Sequence, residues 1–112
     1  MNAQQISQYL STYRDGLLND VIPFWQRHAP DRQCGGFLTF LDADGSVVGT
    51  DKPIWVAGRA TWLFSTLFNN VEKRPEWLEL AAHGLDFLRR HAFDDDGRMY
   101  YSVTRDGRPL RK

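Results

Sequence analysis

Apolar side chains recur at three- and four-residue steps in three stretches of the chain, and each stretch predicts a helix. The first stretch covers residues 4–28. We expect Pro23 to kink this helix or end its regular hydrogen bonding, because proline lacks an N–H and clashes one turn back. The apolar positions of this stretch are Ile6, Tyr9, Leu10, Tyr13, Leu17, Val21 and Phe24.

The second predicted helix runs from about Pro53 to Asn69 and carries large side chains on two opposite faces. One face holds Trp55, Arg59, Trp62 and Thr66, and the other holds Ala57, Ala60, Thr61, Phe64, Leu67 and Phe68. A surface helix has a single apolar stripe, so this helix is expected to be buried on both sides. Asp51 is a candidate N-terminal cap.

The third predicted helix, Glu76 to about Ala92, has one apolar and one polar side. This division is typical of an outer helix with one face in water. The expected inward residues are Trp77, Leu78, Ala81, Leu85 and Leu88, and the expected outward ones are Glu79, His83, Asp86 and Arg90.

Two aromatic segments with glycine-containing turns predict β-hairpins. In the first, a strand at 37–41 reaches the Asp44-Gly45 turn and returns at 46–48. In the second, a strand at 99–103 leads into the turn 105–107. The fold is therefore expected to be mainly α, with short hairpins between the helices.

The stretches 35–45 and 97–107 share a layout of glycine, aromatic strand and Asp-Gly, which suggests an internal repeat. Residues 109–112 are expected to form no strand, helix or cap. Because the helix at 53–69 lacks partners for two buried faces, residues 1–112 are expected to be an incomplete single domain, the N-terminal segment of a longer one.

Composition narrows the classes of function. The 112 residues include 14 Lys and Arg against 14 Asp and Glu, so net charge gives no basis for binding nucleic acid or an acidic membrane surface. The single cysteine, Cys34, cannot form an internal disulfide and suits a reducing, cytoplasmic location. No stretch has the apolar length of a membrane span, and no secretory signal is visible.

The main candidate for chemistry is Arg59, which shares a helix face with Trp55 and Trp62. Aromatic rings that accept the C–H faces of a ligand, beside a fixed fork of N–H donors, suit a sugar. The alternative is a structural arginine stacked on tryptophan between helices. Tyr100 and Tyr101 are further candidates, of which one ring should face the core and the other a pocket or solvent, since strand side chains alternate.

No metal or cofactor site is predicted. The three histidines, His28, His83 and His91, have no metal-ligand spacing, and Cys34 lacks the flanking pattern of a nucleophile. The acidic turns at 42–45 and 94–97 lack the spaced ligands of an EF-hand loop. No glycine-rich nucleotide-binding loop is present.

Five segments, taken in order, resemble the N-terminal part of the N-acylglucosamine 2-epimerase family. They are PFW (23–25), GGFLTFLDADG (35–45), DKPIWVAGRATWLFS (51–65), EWLELAAHGLDFL (76–88) and DGRMYYSVTRDGRPL (96–110). The resemblance covers essentially the whole chain. It implies an (α/α)6 barrel in which the second helix is an inner helix, the third is an outer helix and the hairpins border the cleft.

The resemblance also implies an activity: C2 epimerisation or aldose–ketose isomerisation of a small sugar, without a cofactor. Arg59 matches the family's active-site arginine, Trp55 and Trp62 are its cleft-side neighbours, and Tyr101, or else Tyr100, is a second cleft residue. The family's general-base histidines lie on later helices, so no catalytic residue is expected in this segment. The intact protein could form a homodimer.

Two alternatives remain open at this stage. A glycoside hydrolase or lyase can use the same barrel, but a hydrolase needs two facing carboxylates. A non-catalytic sugar-binding module would bury its apolar surface by itself, whereas part of a barrel would leave apolar helix faces exposed.

Overall fold

The N-terminal helix is continuous but changes its winding before the proline. The computed structural model describes residues 1–111, and within them α1 (Ala3–Gly16) leads through a π-helical turn (Leu17–Val21) into α2 (Ile22–His28). A capping box between Asn2 and Gln5 begins α1. In the π turn the Ile22 N–H donates to the Leu17 carbonyl, five residues back. This wider turn is the predicted break in regular bonding next to Pro23.

The apolar face of α1 is exposed. No residue of α1 is buried, and Ile6, Tyr9, Leu10 and Tyr13 all lie at the surface. The periodicity correctly predicts the helix. Among the described residues, however, nothing covers this face.

Helices α3 (Ile54–Asn70) and α4 (Pro75–His91) pack closely against each other and form the centre of the fold. They approach at Gly84, where a Cβ would lie 2.6 Å from the Phe37 ring and would overlap the Thr61 hydroxyl. The main core contains Leu18, Ile22, Ala29, Phe37, Phe64, Leu67, Trp77, Leu80 and Ala81. A second, smaller core contains Ile54, Phe87, Ala92 and Val103.

Within residues 1–111, α3 is buried on one side only, because Trp55 and Trp62 on the opposite side are 57% and 63% exposed. The expected lack of partners within this segment is therefore seen, and burial of the second face stays a prediction. A second expectation for α3 is wrong. Asp51 does not cap it: the N-cap is Pro53, which makes no side-chain hydrogen bond, and the first helical N–H, from Ile54, donates to the Tyr101 carbonyl. Periodicity shows which positions are apolar, but not whether another element covers them.

The buried face of α4 is rotated from the predicted one. Trp77, Leu80, Ala81, Gly84 and Phe87 are buried, whereas Leu78 and Leu85 are exposed. The close approach to α3 at Gly84 determines this rotation. This rotation is not visible in the apolar pattern, in which Leu78 and Leu85 count as inward residues and a glycine carries no weight.

Both hairpins are present, and the strand before each turn is shorter than predicted. Strands β1 (Phe40–Leu41) and β2 (Val47–Gly49) form an antiparallel pair. Strands β3 (Lys52–Pro53), β4 (Ser102–Val103) and β5 (Pro109–Arg111) form an antiparallel sheet in the order β3-β4-β5. The expectation of no strand at 109–112 is therefore wrong for residues 109–111, and Lys112 lies outside the described residues.

The suggested internal repeat is confirmed by equivalent contacts. Helices α2 and α4 end in His28 and His91, and a Cβ at Gly45 or Gly107, in the following turns, would overlap the respective imidazole. Both glycines have positive φ, near 90°. The pattern F-x-x-R-H-A-x-D occurs at 24–31 and again at 87–94, so the repeat begins before residues 35 and 97.

A buried group of ions joins the first loop to the β3-β4-β5 sheet. Asp31 and Lys52 are each 1% exposed and lie 2.8 Å apart, Oδ2 to Nζ. Arg105 completes the group with two hydrogen bonds to the Asp31 carboxylate, of 2.9 and 3.0 Å. These three residues are called the ion cluster below. Sequence analysis did not identify Asp31, Lys52 or Arg105 as important.

No helix within residues 1–111 has both the length and the apolar character needed to cross a membrane.

The close approach of α3 and α4 gives a stability prediction. Gly84→Ala is expected to lower the free energy of unfolding by about 1–3 kcal/mol, because the added methyl group overlaps Thr61 and Phe37. Gly58→Ala is the matched control. A Cβ there meets nothing within 4 Å, so this change is expected to stabilise α3 by about 0.5–1 kcal/mol. Urea unfolding measures both, and equal effects would contradict this packing.

The ion cluster gives a pH prediction. Burial by itself would raise the pKa of Asp31, but hydrogen bonds from Arg105 and Lys52 outweigh it and hold the pKa well below the usual 3.8. The stabilisation is therefore fully present above pH 3.8 and is lost as the pH falls towards the folded-state pKa. In Asp31→Asn, the free energy of unfolding at pH 7 is expected to fall by about 3–5 kcal/mol.

Urea unfolding of the wild type and Asp31→Asn between pH 7 and pH 3 checks this prediction. The difference between the two proteins should shrink below about pH 4, since the wild-type advantage depends on an ionised Asp31. Other carboxylates titrate in both proteins and cancel in the difference. A difference that stays constant across this range would contradict the assignment.

Candidate functional site

Trp55, Arg59 and Trp62 lie together on the exposed side of α3. Their spacing of four and then three residues places them on one face of the helix. They line a shallow depression of about 350 Å³. This set of three residues is called the α3 face below. Because the opposite side of α3 is packed into the core through Ala57, Phe64 and Leu67, the face is held on a rigid element.

The Arg59 side chain is exposed and makes no hydrogen bond, ion pair or ring contact with the residues that the structure describes. Other cations of the chain do have such contacts, for example Arg74 over the Trp77 ring at 4.6 Å. The alternative of a structural arginine stacked on tryptophan is therefore not supported within residues 1–111. Five N–H donors remain available to a ligand.

The sheet brings Tyr101 to the N-terminus of α3. The Tyr101 carbonyl accepts a 3.0 Å hydrogen bond from the Ile54 N–H, one residue before Trp55. The Tyr101 side chain is 54% exposed, whereas Tyr100 is half-buried and packs against the second core. One ring faces the core and the other does not, as side-chain alternation predicts. Neither tyrosine lines the depression on the α3 face, so contact between Tyr101 and a ligand there stays a prediction.

An apolar cavity of about 420 Å³ adjoins the α3 face and shares Arg59 and Trp62 with it. Its far wall includes Trp25 of α2 and Thr39 of the first hairpin. Sequence analysis did not identify either residue as part of a site. Trp25 is outside the apolar stripe of its helix. Its position in the cavity wall therefore depends on how α2 packs against α3, which periodicity does not reveal.

The histidines have structural contacts elsewhere. His83 Nε2 lies 2.7 Å from the Gly36 carbonyl, and the rings of His28 and His91 pack against phenylalanine rings and turn glycines. Burial lowers the pKa of His91, and the nearby Arg90 and Lys52 charges lower it further. None of the three histidines lines the depression on the α3 face, and neither does any carboxylate of the described residues.

No group of three or more His, Cys, Asp or Glu within residues 1–111 has the geometry to hold a metal ion. Cys34 is half-buried, and its backbone N–H donates to Asp31 at 3.0 Å. The α3 face therefore offers hydrogen-bond donors and aromatic surface, without a nucleophile or general base of its own. Such a surface can bind and orient an oxygen-rich molecule and can stabilise negative charge on its oxygen atoms.

Comparison with known proteins gives a consistent result. The model of the family described as N-acylglucosamine 2-epimerase (GlcNAc 2-epimerase) matches residues 35–112. The N-acylglucosamine 2-epimerase of Bos taurus is 38% identical over 98 residues, which are 84% of this chain and 23% of that protein. The chain thus spans about a quarter of the length of the curated relatives it matches.

Solved structures of sugar-converting enzymes have the same fold in this region. The cellobiose 2-epimerase of Spirochaeta thermophila DSM 6192 is 28% identical, with a TM-score of 0.85 over 97% of this chain and 27% of that one. A D-mannose isomerase is similar in fold, with a TM-score of 0.78 at 22% identity over 89% of this chain and 25% of that one. Sequence and structure together place the chain in the N-acylglucosamine 2-epimerase family.

Proposed function

We propose that residues 1–112 form the N-terminal part of an (α/α)6 barrel and contribute one wall of its sugar-binding cleft. The exposed apolar faces support this proposal. Tyr13 of α1 and Leu78 and Leu85 of α4 lie at the surface, as expected where further helices would pack. A self-sufficient sugar-binding module would cover such faces, so the barrel segment is the better explanation.

The intact protein would be a sugar 2-epimerase or an aldose–ketose isomerase. In such a reaction a base removes the C2 proton of the open-chain sugar, and negative charge develops on the carbonyl oxygen. Return of a proton to the opposite face of C2 gives the epimer, and return to C1 gives the ketose. The bases would be histidines supplied by later helices of the barrel, and the reaction would need no metal or cofactor.

Arg59 would be the residue of this segment that contacts the sugar. Its guanidinium would bind sugar oxygens and stabilise the negative charge of the enediolate-like intermediate. Trp55 and Trp62 would pack against the C–H faces of the sugar, and Tyr101 would lie at the edge of the cleft. The observation that carries this proposal is the available guanidinium of Arg59 between two tryptophans that are more than half exposed.

A glycoside hydrolase is less well supported. Hydrolysis needs two carboxyl groups that flank the scissile bond, and among residues 1–111 the depression on the α3 face is lined by Trp55, Arg59 and Trp62, without a carboxylate.

Sugar binding is the first prediction of this proposal. Titration with N-acetylmannosamine, followed by the indole N–H signals in ¹⁵N NMR spectra, should shift Trp55 and Trp62 in the wild-type chain. In Arg59→Ala, the dissociation constant should rise about tenfold or more, because charge-assisted hydrogen bonds are lost. Arg32→Ala, at another exposed arginine, is the control and should bind like the wild type. Equal affinities for wild type and Arg59→Ala would contradict the role of Arg59.

The second prediction is that the 112-residue chain binds without turnover. Incubation with N-acetylmannosamine, mannose or cellobiose in D₂O should leave C1 and C2 without deuterium, because no histidine or carboxylate of the described residues lines the α3 face. Mass spectrometry and ¹H NMR of the recovered sugars measure the label. Deuterium at C2 that depends on the protein would show that this segment contains a base.

A further inference from the structure

The Asp31 carboxylate is the centre of the ion cluster and accepts five hydrogen bonds. Oδ2 accepts from Lys52 Nζ at 2.8 Å and from Arg105 Nε at 2.9 Å. Oδ1 accepts from Arg105 Nη2 and from the backbone N–H groups of Gln33 and Cys34, each at 3.0 Å. A fully buried carboxylate is stable only when such partners replace its water.

The Lys52 ammonium is equally well satisfied. Besides Asp31, its Nζ donates to the Gly35 carbonyl at 2.6 Å and to the Arg105 carbonyl at 2.9 Å. The Phe87 ring covers it, with the nitrogen 4.5 Å from the ring centroid. All three N–H donors are therefore used, and they connect β3 to the loop after α2 and to the turn between β4 and β5.

The ion cluster is directly connected to the start of α3. Lys52 and Pro53 pair with Val103 and Ser102 in the sheet, and the next N–H, from Ile54, donates to the Tyr101 carbonyl. Because no side chain caps α3, these contacts hold its first turn together with the burial of Ile54 in the second core.

We propose that the ion cluster positions the α3 face: it fixes the first turn of α3, which carries Trp55, against the segment that carries Tyr101. This inference rests on the proposed function, because the position of the α3 face matters only if that face binds a sugar. The link between the ion cluster and the first turn of α3 can nevertheless be tested without a sugar. The opposing explanation is a general contribution to stability that affects every part of the fold equally. The two differ in whether removing one charge loosens the start of α3 selectively.

Lys52→Met tests the inference, with Lys73→Met as its matched control. Both lysines lie over a phenylalanine ring, at 4.5 Å for Lys52 and 4.8 Å for Lys73, but only Lys52 is buried in an ion cluster. Methionine keeps most of the length of the side chain and removes the charge. In Lys52→Met, Asp31 also keeps its two hydrogen bonds from Arg105.

Native-state amide hydrogen exchange provides the readout. In Lys52→Met the Ile54 amide, which bonds to Tyr101, should lose at least about tenfold more protection than the Phe64 amide in the middle of α3, whose loss of protection reports the fall in global stability. Lys73→Met should leave both amides unchanged. An unchanged Ile54 amide, or an equal loss of protection at Ile54 and Phe64, would overturn the inference.

If Lys52→Met does not fold, Arg105→Ala provides the same test, because the Arg105 side chain is 37% exposed and the residue 105 carbonyl remains available to Lys52. The same faster exchange at Ile54 is expected.

Titration with N-acetylmannosamine then separates this inference from the proposed function. Weaker binding in Lys52→Met but not in Lys73→Met supports both. An absence of sugar binding in the wild type rejects the proposed function, and the exchange data still decide the inference.

Discussion

The buried Asp31 carboxylate imposes a constraint on three distant parts of the chain. Its negative charge can leave water only because Lys52 and Arg105 donate hydrogen bonds to it, and these residues lie 21 and 74 positions away. The loop after α2, the strand before α3 and the turn between β4 and β5 must therefore meet at one point. The small second core, with Ile54 and Phe87, lies beside this point and excludes water from it.

The two sides of α3 have different surroundings in the rest of the fold. The sheet places Tyr101 next to the first turn of α3, and α3 then presents Trp55, Arg59 and Trp62 to the outside. On its other side α3 packs against α4, where Gly84 allows the two helices to approach closely. The packed side of α3 thus stabilises the fold, and the exposed side remains available to a ligand. The same helix-and-hairpin unit, with its terminal histidine against a turn glycine, occurs twice.

Local structure was predictable from the sequence, and the pairing of distant residues was not. Periodicity correctly predicted the helices of residues 1–111, and the Asp-Gly pairs predicted the two hairpin turns. The shared helix face of Trp55, Arg59 and Trp62 follows from spacing alone. The ion cluster was missed because nothing in a single sequence shows that Asp31 and Lys52 meet. The strand at 109–111 was missed because its pairing depends on β4, and the rotation of α4 was missed because it depends on a glycine.

We propose above all that the α3 face binds a sugar through Arg59 and the two tryptophans. Intermolecular nuclear Overhauser effects between N-acetylmannosamine and the ¹⁵N-labelled chain would show this contact. We expect cross-peaks from the C–H protons of the sugar to the indole protons of Trp55 and Trp62, and none to Trp77, which is fully buried. Cross-peaks confined to another surface, such as the exposed face of α1, would rule out sugar binding at the α3 face.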